Sequence, residues 1–165
     1  MLNAVFALNI VEELNQKGWK LTEKTLRTGL QSVYWPARFQ IWRRRPLVIL
    51  DAAHNPSGIQ TLVQTLRVLL PGRKVNFLFG VMGDKDYLQI LRRLAPVAEK
   101  ITCVSPKTER AVPVSQLVGI TNELGLKYGT AVSVKSGFRQ MLKECTEDEV
   151  LCVTGSHYVI GELLG

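Results

Sequence analysis

Cysteine is scarce here, with three in 165 residues, an odd number and no Cys-x-x-Cys pair, which argues against a disulfide frame or a thiolate metal centre. Cys103 and Cys152 fall in predicted strands, so buried thiols are the expectation. Histidine is scarcer still. His54 and His157 stand in no carboxylate or cysteine pattern for zinc, so no protein metal site is expected. No apolar run approaches the ~18 to 20 residues of a membrane span, and the first residues carry no basic leader with an apolar stretch behind it. The expectation is a cytosolic protein with no membrane partner. The phosphate-binding pattern GxxxxGK[ST] is missing, because Gly80 to Lys85 has the wrong length and Asp86 follows instead of a hydroxyl. No GxGxxG follows a strand, which argues against a dinucleotide oxidoreductase. Ser156 with His54 or His157 and Asp51 has the composition of a hydrolase triad, but the segment Gly155-Ser156-His157-Tyr158-Val159 lacks the second glycine of a nucleophile elbow. No residue is therefore assigned as a self-contained catalyst.

What is present is enough apolar material, 46% of residues against 21% charged, for one full core and something more. The net charge of +7 is diffuse. Lys17, Lys20, Lys24 and Arg27 share one predicted helical region, and Arg43, Arg44 and Arg45 precede Pro46 at an expected hairpin turn. Neither group is interleaved with aromatics as a single-strand platform would be. An anionic nucleotide or polycarboxylate partner fits better than nucleic acid.

Apolar spacing predicts a helix over residues 4–16 ending at Gly18, and Thr22 can cap a second one to about Leu30. Alternation at Phe39 and Ile41, the basic turn and the run 47–50 predict a hairpin feeding the first central strand. Helices then alternate with strands: helix 57–70, strand 75–79, helix 85–94, strand 100–104, helix 114–124, strand 131–134, helix 137–143 and strand 149–153. Single helices between strands imply parallel pairing with right-handed crossovers. The fold class is α/β, a three-layer, Rossmann-like, mostly parallel sheet of about six strands with helices on both faces.

Ligands in such folds bind outside the carboxyl ends of the strands, and three loops there are unusual. Asp51-Ala52-Ala53-His54-Asn55-Pro56 packs an acid, an imidazole and an amide before a helix that proline can open. Gly80-Val81-Met82-Gly83-Asp84-Lys85-Asp86 offers close backbone approach and a cation near a helix start. Thr154-Gly155-Ser156-His157-Tyr158 is small and hydroxyl-bearing. Each has a plainer reading: Asp51 as a cap or loop acceptor, His54 as a structural hydrogen-bonding group, Lys85 as a solvated lysine, Ser156 as a turn residue, Arg38 as a surface strand arginine.

Five segments in register, Trp35-Pro36-Ala37-Arg38-Phe39, Ile49 to Pro56, Gly80 to Asp86, Pro106 to Ala111 and Thr154 to Glu162, together resemble the carboxy-terminal domain of folylpolyglutamate synthase and dihydrofolate synthase, of the Mur ligase superfamily. The resemblance covers almost the whole chain. It implies that residues 1–34 are the closing helices and linker of an absent amino-terminal ATPase domain, and that 35–165 form the glutamate ligase domain. The implied activity is ATP-dependent, ADP-forming addition of L-glutamate to a folate or dihydropteroate carboxylate through an acyl phosphate. ATP would meet Arg38, Asp51, His54 and Asn55, with Asp51 on the ribose. L-Glutamate would meet Lys85 and Ser156, with Asp84 supporting, and Mg2+ would be held mainly by the absent domain. The isolated chain is then expected to be inactive. Three positions depart from the family pattern: Ala37 where glycine usually precedes the arginine, Gln40 where glutamate is usual, and Ala52 where the common form is Asp-Gly-Ala-His-Asn. A sister Mur-type amino-acid ligase and a non-catalytic nucleotide or glutamate binding module are the alternatives.

Overall fold

Strands that are apolar on both sides need cover on both faces, and the runs at β2 (Leu47–Asp51), β3 (Val75–Phe79) and β6 (Val150–Thr154) are of this kind. The computed structural model describes residues 2–165, with side chains from Val5 onward. It divides into two compact units, one running to Trp35 and the other Pro36–Gly165.

The first unit holds α1 (Leu2–Gln16) and α2 (Glu23–Ser32). Gly18 sits beyond α1 at φ 92°, and the Thr22 hydroxyl accepts from the Thr25 N–H to open α2, both as the sequence leads one to expect. Gly29 lies within α2. No residue of α2 is buried, and Val5, Phe6 and Ile10 of α1 are more than half exposed.

The second unit is built on one six-stranded sheet in the order β1-β2-β6-β3-β4-β5, with β1 (Gln40–Arg44), β4 (Ala98–Cys103) and β5 (Tyr128–Thr130) completing it. β1 pairs antiparallel with β2 across a turn at Arg45-Pro46, and all other pairings are parallel. The pleat sends Ile49, Phe77, Phe79, Ile101 and Cys152 to one face, against α3 (Pro56–Leu69), α4 (Tyr87–Leu94) and α5 (Val114–Glu123). It sends Val48, Leu50, Leu78, Leu151 and Val153 to the other, against α6 (Val134–Glu144) and α7 (His157–Leu164). The three layers and the parallel order agree with the sequence reading. Cys103 and Cys152 are buried thiols and Cys145 is partly buried.

Three local expectations change. Residues 131–134 are not a strand: β5 lies just before them, and Ser133 forms a capping box with Ser136 that starts α6 at Val134. α4 starts at Tyr87, because the Asp86 carboxylate accepts from the Gln89 N–H and so caps it, which leaves Lys85 outside the helix. After β6 the chain forms α7, a helix the sequence reading left out.

This topology places a crevice. The connection leaving β6 packs on the opposite face from those leaving its neighbours β2 and β3. Where connections diverge, the carboxyl ends of the strands open a gap suited to a ligand.

Candidate functional site

The carboxyl ends of β2, β6 and β3 bring the three unusual loops together. Gly155 donates to Ala53 O at 3.1 Å, and Gly80 donates to Thr154 O at 3.4 Å. The approach needs glycine at both places. A Cβ on Gly80 would stand 2.6 Å from Val104 O, and one on Gly155, at φ 107°, would stand 2.5 Å from Gly80 O.

A fourth segment joins them. Residues 36–39 lie over the β2 end through Ala52 N–H to Ala37 O at 2.7 Å and Phe39 N–H to Asp51 Oδ2 at 2.9 Å. Ala37 and Phe39 both take left-handed conformations, φ 57° and 45°, and each costs about 1–2 kcal/mol for a residue with a Cβ. They flank Arg38, which is exposed. The left-handed Ala37 accounts for the usual glycine at this position. Gln40 does the work open to a glutamate, its Oε1 accepting from the Ala37 N–H at 3.0 Å.

Asp51 is the fastening of this corner. Its Oδ2 takes the Phe39 N–H and its Oδ1 takes the Ala53 N–H at 2.9 Å, so each oxygen is engaged once and keeps further acceptor capacity. Burial pushes its carboxyl above the ordinary 3.8, opposed by the two backbone bonds and by the charges of Arg38 and His157. His54 Nδ1 lies 2.9 Å from Ala52 O, and since a carbonyl only accepts, Nδ1 carries the proton. Nε2 is then the nitrogen left to accept, or to donate once the ring is protonated. The His157 ring stands 5.4 Å from that of His54, centroid to centroid.

Asn55 and Ser156 both act as caps. Asn55 Oδ1 accepts from Gly58 N–H at 2.8 Å to open α3, keeping its amide N–H groups as donors. Ser156 is 2% exposed, and its Oγ accepts from Val159 N–H at 3.1 Å to open α7 and keeps its hydroxyl proton as a donor. The N-termini of α3 and α7 therefore face the same edge, where their unpaired N–H groups favour anions.

Lys85 and Asp84 lie on the loop after β3, sewn to the loop after β4 by Gly83 N–H to Arg110 O and Val112 N–H to Val81 O, the two hydrogen bonds that make the antiparallel bridge between Met82 and Ala111. Asp84 receives Lys85 Nζ at 2.7 Å on one oxygen and Arg110 at 3.3 Å on the other. The hydrogen bond from Lys85, helped by the charges of Lys85 and Arg110, holds the Asp84 carboxyl below its ordinary value. Beside these loops a cleft of about 390 Å³ is lined by Pro106, Lys107, His157, Tyr158, Gly161 and Glu162. The sequence alone gives no ligand role to Lys107, Arg110, His157 or Glu162; for Lys107 and Arg110 the signal is the concentration of charge after β4, one more strand whose carboxyl end meets this edge, and for His157 and Glu162 it is their place in the first turns of α7 after β6.

A family model for the Mur ligase, glutamate ligase domain, matches residues 37–157. The folylpolyglutamate synthase of Lacticaseibacillus casei is 30% identical over 148 residues, 87% of this chain and 32% of that protein. Among solved structures, Escherichia coli FolC in complex with ADP, without folate substrate, superposes with a TM-score of 0.86 at 26% identity, over 98% of this chain and 38% of that one. A crystal structure of bifunctional folylpolyglutamate synthase/dihydrofolate synthase with Mn, AMPPNP and L-glutamate bound gives a TM-score of 0.79 at 30% identity, over 90% of this chain and 36% of that one. The chain thus spans about a third of the length of these relatives.

Proposed function

Because the chain belongs to the Mur ligase, glutamate ligase domain, family, we propose that it is the amino-acid-receiving part of a cytosolic, ATP-dependent, ADP-forming ligase that adds L-glutamate to a folate or dihydropteroate carboxylate. In this reading the acceptor carboxylate attacks the γ-phosphate of ATP, forming an acyl phosphate and releasing ADP. The α-amine of glutamate then attacks the acyl carbon, and phosphate leaves.

The observation that carries the reading is the convergence of Arg38, Asp51, His54, Lys85 and the N-termini of α3 and α7 on one sheet edge. Arg38, offered outward between two left-handed residues, faces nucleotide phosphates, where a planar guanidinium can bridge two oxygens as charge develops. The remaining lone pairs of Asp51 accept from the ribose hydroxyls, and Asn55 supports the nucleotide with its amide. His54 lies near the phosphates, where its Nε2 donates when the ring is protonated. Lys85 and the Ser156 hydroxyl hold glutamate carboxylate and so aim its amine. The role of this unit is to position and to close.

Among the described residues no group of three or more His, Cys, Asp or Glu side chains could hold a metal ion. In this reading the divalent cation of the reaction belongs to a preceding ATPase domain, of which residues 1–34 would supply the closing helices and linker, and no step is routed through it here. Among the described residues no helix is long and apolar enough to cross a membrane.

The test is ADP release from ATP in the presence of L-glutamate and a folate or dihydropteroate. The isolated 165 residues should release none. Release at a rate abolished by Lys85→Ala would overturn the two-domain reading. In calorimetry, Arg38→Ala should weaken ADP binding about tenfold, the size of a lost charge-assisted contact.

A further inference from the structure

One hollow lies away from the carboxyl edge and has no part in the ligation as described. Just before β3 and β4, at the amino ends of those strands, a cavity of about 180 Å³ is lined by Arg67, Arg73 and Lys74, with Leu66, Leu70 and Val97 among its apolar walls. Leu66 and Val97 are buried and the three cations are exposed, so the floor is apolar and the open side is basic. Its support is fixed. Leu70 N–H donates to Leu66 O at 2.8 Å, and Arg73 N–H donates to Leu70 O at 3.1 Å, which closes a turn with Pro71 and Gly72 at its centre. Proline presets the first central position, and Gly72, at φ 75°, takes the left-handed second one, as a type II turn requires. Lys74 Nζ donates to Pro96 O at 3.0 Å and ties this turn to the short helical turn Ala95–Val97 ahead of β4.

The charge around the hollow has one sign. No Asp or Glu occurs from residue 52 to 83 or from 87 to 98, so α3, β3 and α4 bring it no acid. Glu99, the next acid along the chain, is taken by Lys127. The side chains of Arg67 and Arg73 have no hydrogen-bond or ion-pair partner among the described residues. The carbonyl end of α3 favours Arg67 in its last turn, but that pull fades within the turn and leaves Arg73, beyond it, unaccounted for.

We propose that this hollow binds one phosphate group, free or borne on a small ester, as a site separate from the ligation and independent of the glutamate reading. Size and charge select the ligand. The volume falls below the ~300 to 1,000 Å³ of pockets for drug-sized molecules and suits a compact head. A phosphate monoester brings about −1.5 to −2 charges near neutrality and three strong acceptor oxygens, against one charge and two oxygens for a carboxylate. Arg67 and Arg73 each offer a planar fork that bridges two phosphate oxygens. Lys74 adds a point charge with two of its three N–H groups still free. The closed turn and its tie to Pro96 leave little to be ordered when the anion arrives.

The experiment is an amide-proton NMR titration of the 165-residue chain with inorganic phosphate, glycerol 3-phosphate and acetate at constant ionic strength. It compares the wild type, Arg73→Gln, Arg73→Lys and the double variant Arg67→Gln with Arg73→Gln, alongside the thermal midpoint of each. Wild type should bind inorganic phosphate in the millimolar range expected of a few charged contacts, with shifts at residues 67, 70, 72–74 and 97, and acetate about tenfold more weakly. Arg73→Gln should weaken phosphate about tenfold with an unchanged midpoint, Arg73→Lys should recover part of the loss, and the double variant should show no shifts at these residues. Glycerol 3-phosphate binding as phosphate does supports the free ion as ligand, and tighter binding supports an ester. Phosphate shifts confined to residues 38 and 51–58 would place the anion at the carboxyl edge and overturn the site. Acetate matching phosphate, or Arg73→Gln binding phosphate as wild type does, would overturn it too. None of these outcomes touches the ligase reading, which ADP release tests separately.

Discussion

The second unit has charged hollows at both ends of its sheet, and they differ in what their charges have left to do. At the amino end a cavity of about 260 Å³ is lined by Glu99, Lys100, Lys127, Glu144 and Glu149 among others. There Lys127 meets Glu99 at 2.5 Å and Lys100 meets Glu144 at 3.6 Å, while Glu149 takes the Asn76 amide, the Thr146 N–H and the Thr146 hydroxyl. Both lysines have a glutamate partner, the third glutamate is satisfied by neutral donors, and none of these residues takes a left-handed conformation. At the carboxyl end, Arg110 and Lys85 share a single carboxylate, His54 keeps Nε2 in reserve, and left-handed residues flank Arg38. Spare donors on a strained but well-fastened backbone, rather than cavity size or charge content, distinguish a place made to receive something.

The strongest way to break this comparison is to remove the fastening. Gly155→Ala puts a methyl group against Gly80 O and the Phe79 ring at φ 107°. It should cost about 3 kcal/mol or more, read from the urea midpoint. A loss below about 1 kcal/mol would mean that the carboxyl edge yields easily, and the claim of a built edge would fall.

Much of this edge is legible in the sequence, because the signals that place it are local. The Asn55-Pro56 step reads as a helix start and is one, and the apolar runs at β2, β3 and β6 are too short for helices and too apolar for surface strands. What is missed depends on reading two signals against each other or on distance along the chain. Val132 and Val134 suggest a strand until Ser133 and Ser136 are seen as a capping box, whereas the true strand Tyr128–Thr130 has a glycine at its centre and exposed flanks. Asp86 outcompetes Lys85 for the start of α4 because a carboxylate caps N–H groups and an ammonium cannot. Ser156 reads equally as ligand contact and as cap, and the cap is made, with the apolar Val159 and Ile160 then carrying α7 into the core. The meeting of Arg110 with Asp84 has no local signature, since it follows from two neighbouring parallel strands ending side by side.

A middle-sized effect sharpens the comparison through pH, because Asp51 at the carboxyl end and Glu149 at the amino end titrate in opposite senses. Asp51 has its folded-state pKa raised above 3.8, chiefly by burial, so the folded chain holds that proton more tightly and stability falls as pH rises through the window just above 3.8. Glu149 has its pKa lowered from 4.5, chiefly by the Thr146 N–H, so its contribution is present above 4.5 and is lost as pH falls through its folded value. Asp51→Asn should cost about 1–2 kcal/mol near neutrality, since one amide oxygen cannot serve both the Phe39 and Ala53 N–H groups, and should remove the decline with rising pH. Glu149→Gln should instead remove part of the acid loss. Urea midpoints from about pH 3 to 7 for the three proteins decide it, and the same slope change in both variants would erase the distinction between the two ends.

The smallest effect is expected from the shortest ion pair. Lys127 meets Glu99 at 2.5 Å, but its side chain is 75% exposed, and holding two long side chains in one geometry offsets most of a screened attraction. The hydrogen bond and charge of Glu99 raise the Lys127 pKa, so whatever the pair contributes is present below the ordinary 10.5 and lost as pH rises through the folded value. Lys127→Ala should leave the urea midpoint at neutral pH unchanged within error, and with it any response of the chain to L-glutamate. A shift as large as that of Asp51→Asn would show that the amino-end charges are fastenings too, and saturation by partners would then no longer separate an inert hollow from a receptive one.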